Sequence, residues 1–326
     1  SNPINGPKVL GDFYTPQSVT IVPNNTAAFY TGGYNEARFP LRKFDVNTPT
    51  QADRVGSVQG WGHEYPRHLT SDTSYVYYLR DGGGLGRVSL ATGAFDLPTA
   101  TGSGAGIAVQ PNGSLLFVSN PGAGRINIYN KTTFASVGSF AVTNPVAIAA
   151  MSSGDLWVVS GTDIVRYTNL TASTPTEVRR ISGFAQPKGI AVSHDGALVA
   201  VADGGTSQQV KAFNTATGAS AWTYGQAGGY ASGPAVATDK LLLNGAIAFG
   251  ADGSFWIQDD STYRMLHISA QRQFINNLAY IPHSYSTTVD LNNPTRMFNG
   301  FTEYEIDYSK SLVEGQGWKP KNYWGH

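Results

Sequence analysis

Four short apolar stretches recur along the chain in a fixed order, and that order predicts the architecture. The first reads Gly106-Ile107-Ala108-Val109, Ala147-Ile148-Ala149-Ala150, Gly189-Ile190-Ala191-Val192 and Ala246-Ile247-Ala248-Phe249, with weaker copies around Val19 and Leu69. Its central Ile107, Ile148, Ile190 and Ile247 are spaced 41, 42 and 57 residues apart. A turn follows each copy: Pro111-Asn112-Gly113, Ser152-Ser153-Gly154, His194-Asp195-Gly196 and Ala251-Asp252-Gly253. Asn-Gly and Asp-Gly supply the positive φ of a tight hairpin. The second stretch is continuously apolar, as in Leu156-Trp157-Val158-Val159 and Phe255-Trp256-Ile257. The third alternates, as in Arg125-Ile126-Asn127-Ile128-Tyr129, and the fourth is more polar, as in Ala135-Ser136-Val137-Gly138-Ser139-Phe140. Period-two alternation marks half-buried strands, and no stretch sustains a helical period.

A four-strand unit repeating every 40–50 residues or so is the signature of a propeller blade. A β-sandwich explains the alternation but not a four-part unit repeated in order. The chain is therefore expected to be all-β: one six-bladed β-propeller with blades at 16–65, 66–104, 105–144, 145–186, 187–243 and 244–280, and a C-terminal extension at 281–326. Seven blades, the last incomplete, is the alternative. The pattern stops abruptly at Trp324-Gly325-His326, so the chain reads as one domain cut from a longer protein. A propeller ring commonly closes by pairing strands from both ends of the chain, and residues 8–14 and 301–308 are the candidates. Phe117, Trp157, Val199 and Trp256 lie on second strands and are expected to fill the wedges between blades. The long step holds an insertion, Gln226 to Asn244. It is expected to hang over one face as a mobile segment, with Tyr230 as a contact residue.

Composition narrows the function. Only 13% of residues are charged, the formal net charge is zero, and there is no cysteine. With no basic excess, the chain is not expected to bind nucleic acid. With no apolar run near 20 residues, no membrane insertion is expected. The lack of Cys removes disulfides and thiol catalysis. Few charges, no Cys and abundant Thr, Ser, Asn and Tyr point to a bacterial secreted or cell-surface protein, expected to be monomeric.

One unit runs Pro187-Lys188-Gly189-Ile190-Ala191-Val192, His194-Asp195-Gly196, Val201-Ala202-Asp203 and Val210-Lys211-Ala212-Phe213. It resembles the NHL repeat: Pro-x-Gly-Ile-Ala, an Asp-Gly turn, Val-Ala-Asp, and a short strand ending in Phe. The resemblance spans roughly residues 16 to 280, and the later segments look like those of large secreted bacterial NHL-repeat proteins. It implies the fold more than a function, because such propellers include protein binders, RNA binders and some enzymes.

In a propeller, loops between the second and third strands share a face with the blade junctions, and that face is where ligands are expected. Its candidates here are Trp61, His63, Glu64, Arg67, His68, Arg80, Asp81, Lys188, Asp203 and Asp259. The densest group is Trp61-Gly62-His63-Glu64-Tyr65-Pro66-Arg67-His68. Two His and a Glu so close are candidate metal ligands, though their spacing is not the helical zinc pattern. Trp61 and Tyr65 offer aromatic contact to a glycan or peptide. Asp203 and Asp259, with Asn120, share one repeat position; each either caps its own loop or contributes oxygen to a channel Ca²⁺. Resemblance to six-bladed lactonases implies such an ion, for which Asn144, Asp203 and Glu64 are weak candidates. His194, in a turn of the opposite face, reads as structural or solvated. No catalytic residue is assigned. The expected function is a non-catalytic extracellular binding or scaffold module that presents one face to a protein or glycan. The alternative is a metal-dependent hydrolase or lyase with its ion in the channel.

Overall fold

The computed structural model describes residues 14–23, 28–35, 41–47, 52–55, 66–80, 84–100, 104–279, 287–310 and 317–325. These form seven four-stranded antiparallel sheets, each a simple meander, and the only helical element is a 3₁₀ turn, Gly229–Ser232. Among the described residues no helix is long and apolar enough to cross a membrane. Six sheets form the ring of a β-propeller. Their first strands are Tyr14–Ile21, Pro66–Ser71, Gly106–Val109, Pro145–Ala150, Pro187–Val192 and Leu243–Phe249. Each packs beside the next around a central channel, and the sixth packs beside the first.

Second strands explain their own composition. A blade is covered on both faces, so a strand near its middle is apolar throughout rather than alternating. Leu156–Ser160 and Phe255–Asp259 follow this pattern, and Phe117, Trp157, Val199 and Trp256 are fully buried. Phe117 packs with Ile148, Leu156 and Val158 of blade four. Trp157 packs with Ile190, Val199 and Val201 of blade five.

Among the described residues the ring does not close by sharing a strand, the closure that the sequence led one to expect. Tyr14 pairs with Asn35 inside blade one, while residues 302–306 belong to the seventh sheet; residues 8–13 lie outside the described ones. Side chains make the seam instead. Val19, Ile21 and Phe44 of blade one pack against Ala248, Trp256, Met265 and Leu278 of blade six. Asn276 Nδ2 of blade six also donates to the carbonyls of Val46 (2.9 Å) and Asn47 (3.3 Å) in a turn of blade one. The same bridge recurs elsewhere. Arg87 Nη1 of blade two donates to Lys131 O (2.9 Å) and Thr132 O (3.0 Å) of blade three. Arg166 Nη1 of blade four donates to Thr215 O (3.0 Å) of blade five.

Two of the turns that receive these bridges, in blades three and five, share with the matching turn of blade two a motif the strand repeat did not reveal. It runs Ser89-x-x-Thr92-Gly93-Ala94, Asn130-x-x-Thr133-Phe134-Ala135 and Asn214-x-x-Thr217-Gly218-Ala219. The first side chain accepts from the Thr amide, and the Thr hydroxyl accepts from the Ala amide. The fifth residue has φ of 67°, 56° and 74° in turn. Such side-chain bonds shape a local turn in place of ladder bonds.

The seventh sheet, Thr287–Asp290, Asn293–Asn299, Thr302–Ile306 and Trp318–Tyr323, stands outside the ring. It has all four strands, so the alternative of an incomplete seventh blade does not hold. A blade within a ring needs two apolar faces. This sheet has one, with Met297, Tyr304 and Ile306 buried, and a second face carrying Arg296, Glu303, Glu305 and Lys321.

The Trp157 side chain fills the wedge between blades four and five, and Trp157→Ala is expected to cost about 3–5 kcal/mol in chemical denaturation. An unchanged midpoint would show that the indole is not buried there. Asn276→Ala removes both seam bonds and is expected to cost about 1 kcal/mol for each bond lost. The check is the same denaturation experiment, with an exposed Val137→Thr variant expected to stay near wild type.

Candidate functional site

Three first strands begin with proline and a fourth carries Pro16 near its start, and the ladder slips just after it. Pro16 pairs with Gly33 and Ser18 with Gly32; Pro66 pairs with Arg80 and His68 with Leu79; Pro187 pairs with Asp203 and Gly189 with Ala202. Proline has no N–H to give the ladder, so it suits an edge or a bulge. The extra residue of each bulge is Gln17, Arg67 or Lys188. In blade four the slip falls between Pro145 and Ile148, around Val146, and in blade six between Leu243 and Ile247, around Asn244. Bulges re-aim side chains at barrel rims. Here they accompany polar residues at the upper end of the channel, the end that carries the loops between second and third strands. Round the ring, blades five, six, one and two contribute Lys188, Asn244, Gln17 and His68 to its lining, a continuous polar arc. Blades three and four contribute Ala105, Val146 and Ala147.

Beneath this rim the channel is narrow. Its upper half encloses about 100 Å³, lined by Gln17, His68, Gly106, Lys188, Asn244 and the isoleucines of the first strands. The lower half encloses about 150 Å³ and ends at Pro23, Ser71, Pro111 and His194. The His194 ring lies against the backbone of Pro23 in blade one and Phe249 in blade six, and burial holds its imidazole below the ordinary value. Glycine sets the narrowness. A Cβ on Gly189 would stand 1.7 Å from Gly245 O, and one on Gly106 would stand 2.6 Å from Val146 O.

Of the residues named from sequence, the structure brings Lys188 and His68 to the upper channel, with Arg67 exposed on the rim beside His68. Arg80 ends the second strand of blade two, its guanidinium lying over Gly84. Trp61, His63, Glu64, Tyr65 and Asp81 lie outside the described residues. Asp203 and Asp259 do not reach a surface: both are completely buried. Asp203 accepts from the Gln186 amide (2.8 Å) and Lys211 Nζ (2.6 Å). Burial opposes its charge, but the Lys211 ammonium and the Gln186 amide outweigh that and hold its carboxyl below the ordinary value. Asp259 accepts from the Leu242 amide (3.0 Å), Ser261 Oγ (2.6 Å), Thr262 Oγ1 (2.8 Å) and Arg264 Nη2 (2.9 Å). Asn120 accepts from the Ala123 amide (3.0 Å). The shared repeat position is thus a loop cap. Asn144 is exposed at φ 43° in a junction turn and does not line the channel with Asp203. A channel Ca²⁺ needs six to eight oxygens. Asn144 and Asp203 do not fit that role, and among the described residues no three His, Asp or Glu side chains converge.

The insertion is pinned rather than loose. Gln226 N donates to Asp239 O (2.7 Å), Gly228 N to Ser207 O (2.9 Å) and Arg264 Nη2 to Ala237 O (3.0 Å). Its far side pairs with the last strand of the seventh sheet, where Val236 N donates to Lys321 O (2.9 Å) and Tyr323 N to Pro234 O (2.8 Å). Tyr230 is 2% exposed and packs edge-on against Tyr323, so it is no contact residue. The seventh sheet also reaches the loop of blade six, where Thr302 Oγ1 donates to Ser261 O (2.8 Å).

A further acid of this face stands beside Lys188. Asp260 accepts from Gln258 Nε2 (2.8 Å) and Asn244 Nδ2 (3.2 Å). Burial, then the charge of Asp259, push its carboxyl up to about 6. Across the rim, burial and then the Arg67 charge press His68 down to about 4, so its ring is neutral at neutral pH. Their pH effects oppose. The unfolded chain protonates His68 near its ordinary 6.5 while the folded protein resists until about 4, so acidification across that range costs stability. Ionised Asp260 costs stability above about 6, and that cost disappears as pH falls towards its ordinary 3.8. Asp260→Asn keeps both accepted bonds. It is expected to stabilise the protein at about pH 7.5 by about 2 kcal/mol, at roughly 1.4 kcal/mol per pKa unit with a discount for partial exposure. The gain should vanish near pH 4 in thermal unfolding; a gain independent of pH would place this carboxylate in solvent.

In sequence, the chain matches no family model and no curated protein. In structure it is similar to a chain of a nidogen/laminin complex, with a TM-score of 0.59 at 14% identity, over 77% of this chain and 93% of that one. It is also similar to hydrazine synthase of Kuenenia stuttgartiensis, with a TM-score of 0.59 at 13% identity, over 92% of this chain and 95% of that one. At such identities the likeness speaks to architecture, and with the closed ring of six meanders it makes the chain a six-bladed β-propeller.

Proposed function

We propose that this chain is a non-catalytic binding module, an NHL-like propeller that presents its upper rim to a protein or glycan partner. One observation carries the reading: a polar arc surrounds a channel mouth of about 100 Å³. Sites that enclose an organic ligand are usually about 300–1,000 Å³. Recognition is therefore assigned to the rim and not to the channel interior. The carboxylates that might have served metal-assisted chemistry, Asp203 and Asp259, are committed to their own loops. The Pro-x-Gly-Ile-Ala and Val-Ala-Asp signatures support the NHL-like assignment. One similar structure is of a nidogen/laminin complex, in keeping with a protein partner. A secreted or cell-surface location and a monomeric state complete the proposal, on the strength of the low charge and absent Cys.

The test is a protein and glycan array screen, followed by paired substitutions on the two faces. Asn244→Ala and Gln17→Ala on the rim are expected to weaken binding about tenfold, a typical loss for a central contact. Asn112→Ala, in a lower-face turn, should leave it unchanged. Loss from Asn112→Ala alone would move the site to the other face.

A further inference from the structure

We propose that the open face of the seventh sheet binds a neutral oligosaccharide among Arg296, Glu305, Lys321, Asn322 and Trp324. The site is distinct from the rim residues Gln17, Lys188 and Asn244 and does not rest on them. A blade inside the ring is covered on both faces, whereas this sheet stands outside and leaves one face in water. Successive side chains of a strand point to opposite faces, so the register decides which residues share it. Arg296 lies opposite Glu305, Phe298 opposite Glu303, and Glu303 opposite Asn322. The ladder slips between Pro320 and Asn322, and the extra residue, Lys321, turns to the same face, where its Nζ meets Glu305 Oε2 (3.0 Å).

These groups hold one another in place. Glu303, itself buried, accepts from Arg296 Nε (2.5 Å) and Asn322 Nδ2 (2.7 Å), and the Trp324 indole reaches the same carboxylate. The Arg296 guanidinium lies over the Phe298 ring (4.8 Å). The outward parts of the same side chains remain open to water. Arg296, Lys321 and Glu305 are 42%, 44% and 52% exposed, and Trp324 is 50% exposed, so all four are within reach of a ligand. Among the described residues Arg296 Nη2, Glu305 Oε1 and Asn322 Oδ1 accept or donate no hydrogen bond.

Size and lining identify the ligand. The cleft over this face encloses about 390 Å³, lined by Thr295, Arg296, Glu303, Glu305, Lys321 and Asn322. That falls within the roughly 300–1,000 Å³ of organic-ligand sites, which neither half of the channel reaches. Donors and acceptors alternate along it, and a sugar hydroxyl both donates and accepts. The charges are matched: Arg296 pairs with Glu303 and Asp290, and Lys321 with Glu305. A matched face draws in neither a polyanion nor a polycation. Trp324, beside Glu303, offers a flat apolar plate to the C–H face of a pyranose. Protein interfaces are depleted in Lys and Glu at their cores, and this face is built around them. Its fixed hydrogen bonds keep the ordering cost of binding low.

Isothermal titration of the protein with cellohexaose and maltohexaose tests the site, with hexagalacturonate as the anionic comparison. At least one neutral hexasaccharide is expected to bind with a Kd on the order of 1 mM or tighter. Added salt should leave that affinity nearly unchanged. Trp324→Ala should weaken it about tenfold, and Trp324→Tyr, which keeps a ring, by less. Melting temperatures near wild type, expected for so exposed a residue, keep the loss from reflecting misfolding. The proposal is overturned if neither hexasaccharide binds at about 10 mM, a concentration well above the expected Kd. It is also overturned if hexagalacturonate binds tighter than both, or if Trp324→Ala binds like wild type. Asn244→Ala on the ring should retain the sugar; an equal loss there would move the sugar to the rim and remove this site. If Trp324→Ala instead abolishes binding of a protein from the array while no hexasaccharide binds, the face belongs to a protein and the proposal falls. Sugar binding that needs Trp324, with an array partner indifferent to Asn244→Ala and Gln17→Ala, would remove the rim reading and leave this site standing.

Discussion

Six strands can converge on one axis only if almost nothing projects between them. The closest approaches occur at glycines: a Cβ on Gly189 would collide with the Gly245 carbonyl, and one on Gly106 with that of Val146. From this constraint most of the molecule follows. In four of the six blades the first strand is accordingly built around Gly or Ala and a single Ile. Bulk is displaced outward to second strands, where blades diverge and a wedge opens for Trp157 or Trp256. Filling those wedges tightly gives each blade its grip on the next, so the ring needs no shared strand at its seam. A tight axis also leaves a channel of only about 100–150 Å³ per half, too little for an enclosed organic ligand.

The same constraint moves recognition to the rim. The loop carboxylates face inward, where the low dielectric makes an unmatched charge costly, and each is matched. Asp259 alone accepts from a backbone amide, two hydroxyls and a guanidinium. The residues left to face a partner are those that the proline bulges lift out of the ladder. They are few, and in blades one, two and five their identities differ while their backbone setting is shared. A propeller can thus change its partner chemistry at Gln17, Arg67, Lys188 or Asn244 without disturbing its packing.

The blades were legible because each is a local, repeated pattern: small-apolar strand, Gly turn, continuous apolar strand, alternating strand. What the pattern could not show was any contact that depends on a distant partner. Asp203 and Asp259 read as ligand candidates because a sequence displays a carboxylate but not the Lys211 or Arg264 that neutralises it. Arg67, His68 and Lys188 were read onto the face that carries the loops between second and third strands, yet the bulges at Arg67 and Lys188 emerge only from the strand register. The seam was misread because it consists of side-chain packing around Trp256 and the Asn276 bridge, neither of which has a strand-pairing signature. Tyr230 looked exposed because its partner, Tyr323, is far along the chain in a sheet whose polar face hid its strands from the repeat.

That sheet also shapes the rim's charge. It rests on the blade-six loop through Thr302 and Ser261, and Tyr323 lies close enough to Asp260 for the carboxylate to help raise the phenol's pKa. Asp260 is the one acid near Lys188, and it titrates high first because it is buried. With its carboxyl near 6 it is largely ionised at neutral pH, and in that low-dielectric setting, held by Gln258 and Asn244, it faces the lysine with little screening. The seventh sheet therefore does more than extend the chain past the ring. By packing against the loop that carries Asp260, it helps hold that carboxylate beside Lys188, so that the two charges balance on the side of blades five and six, in a protein whose formal charge is zero.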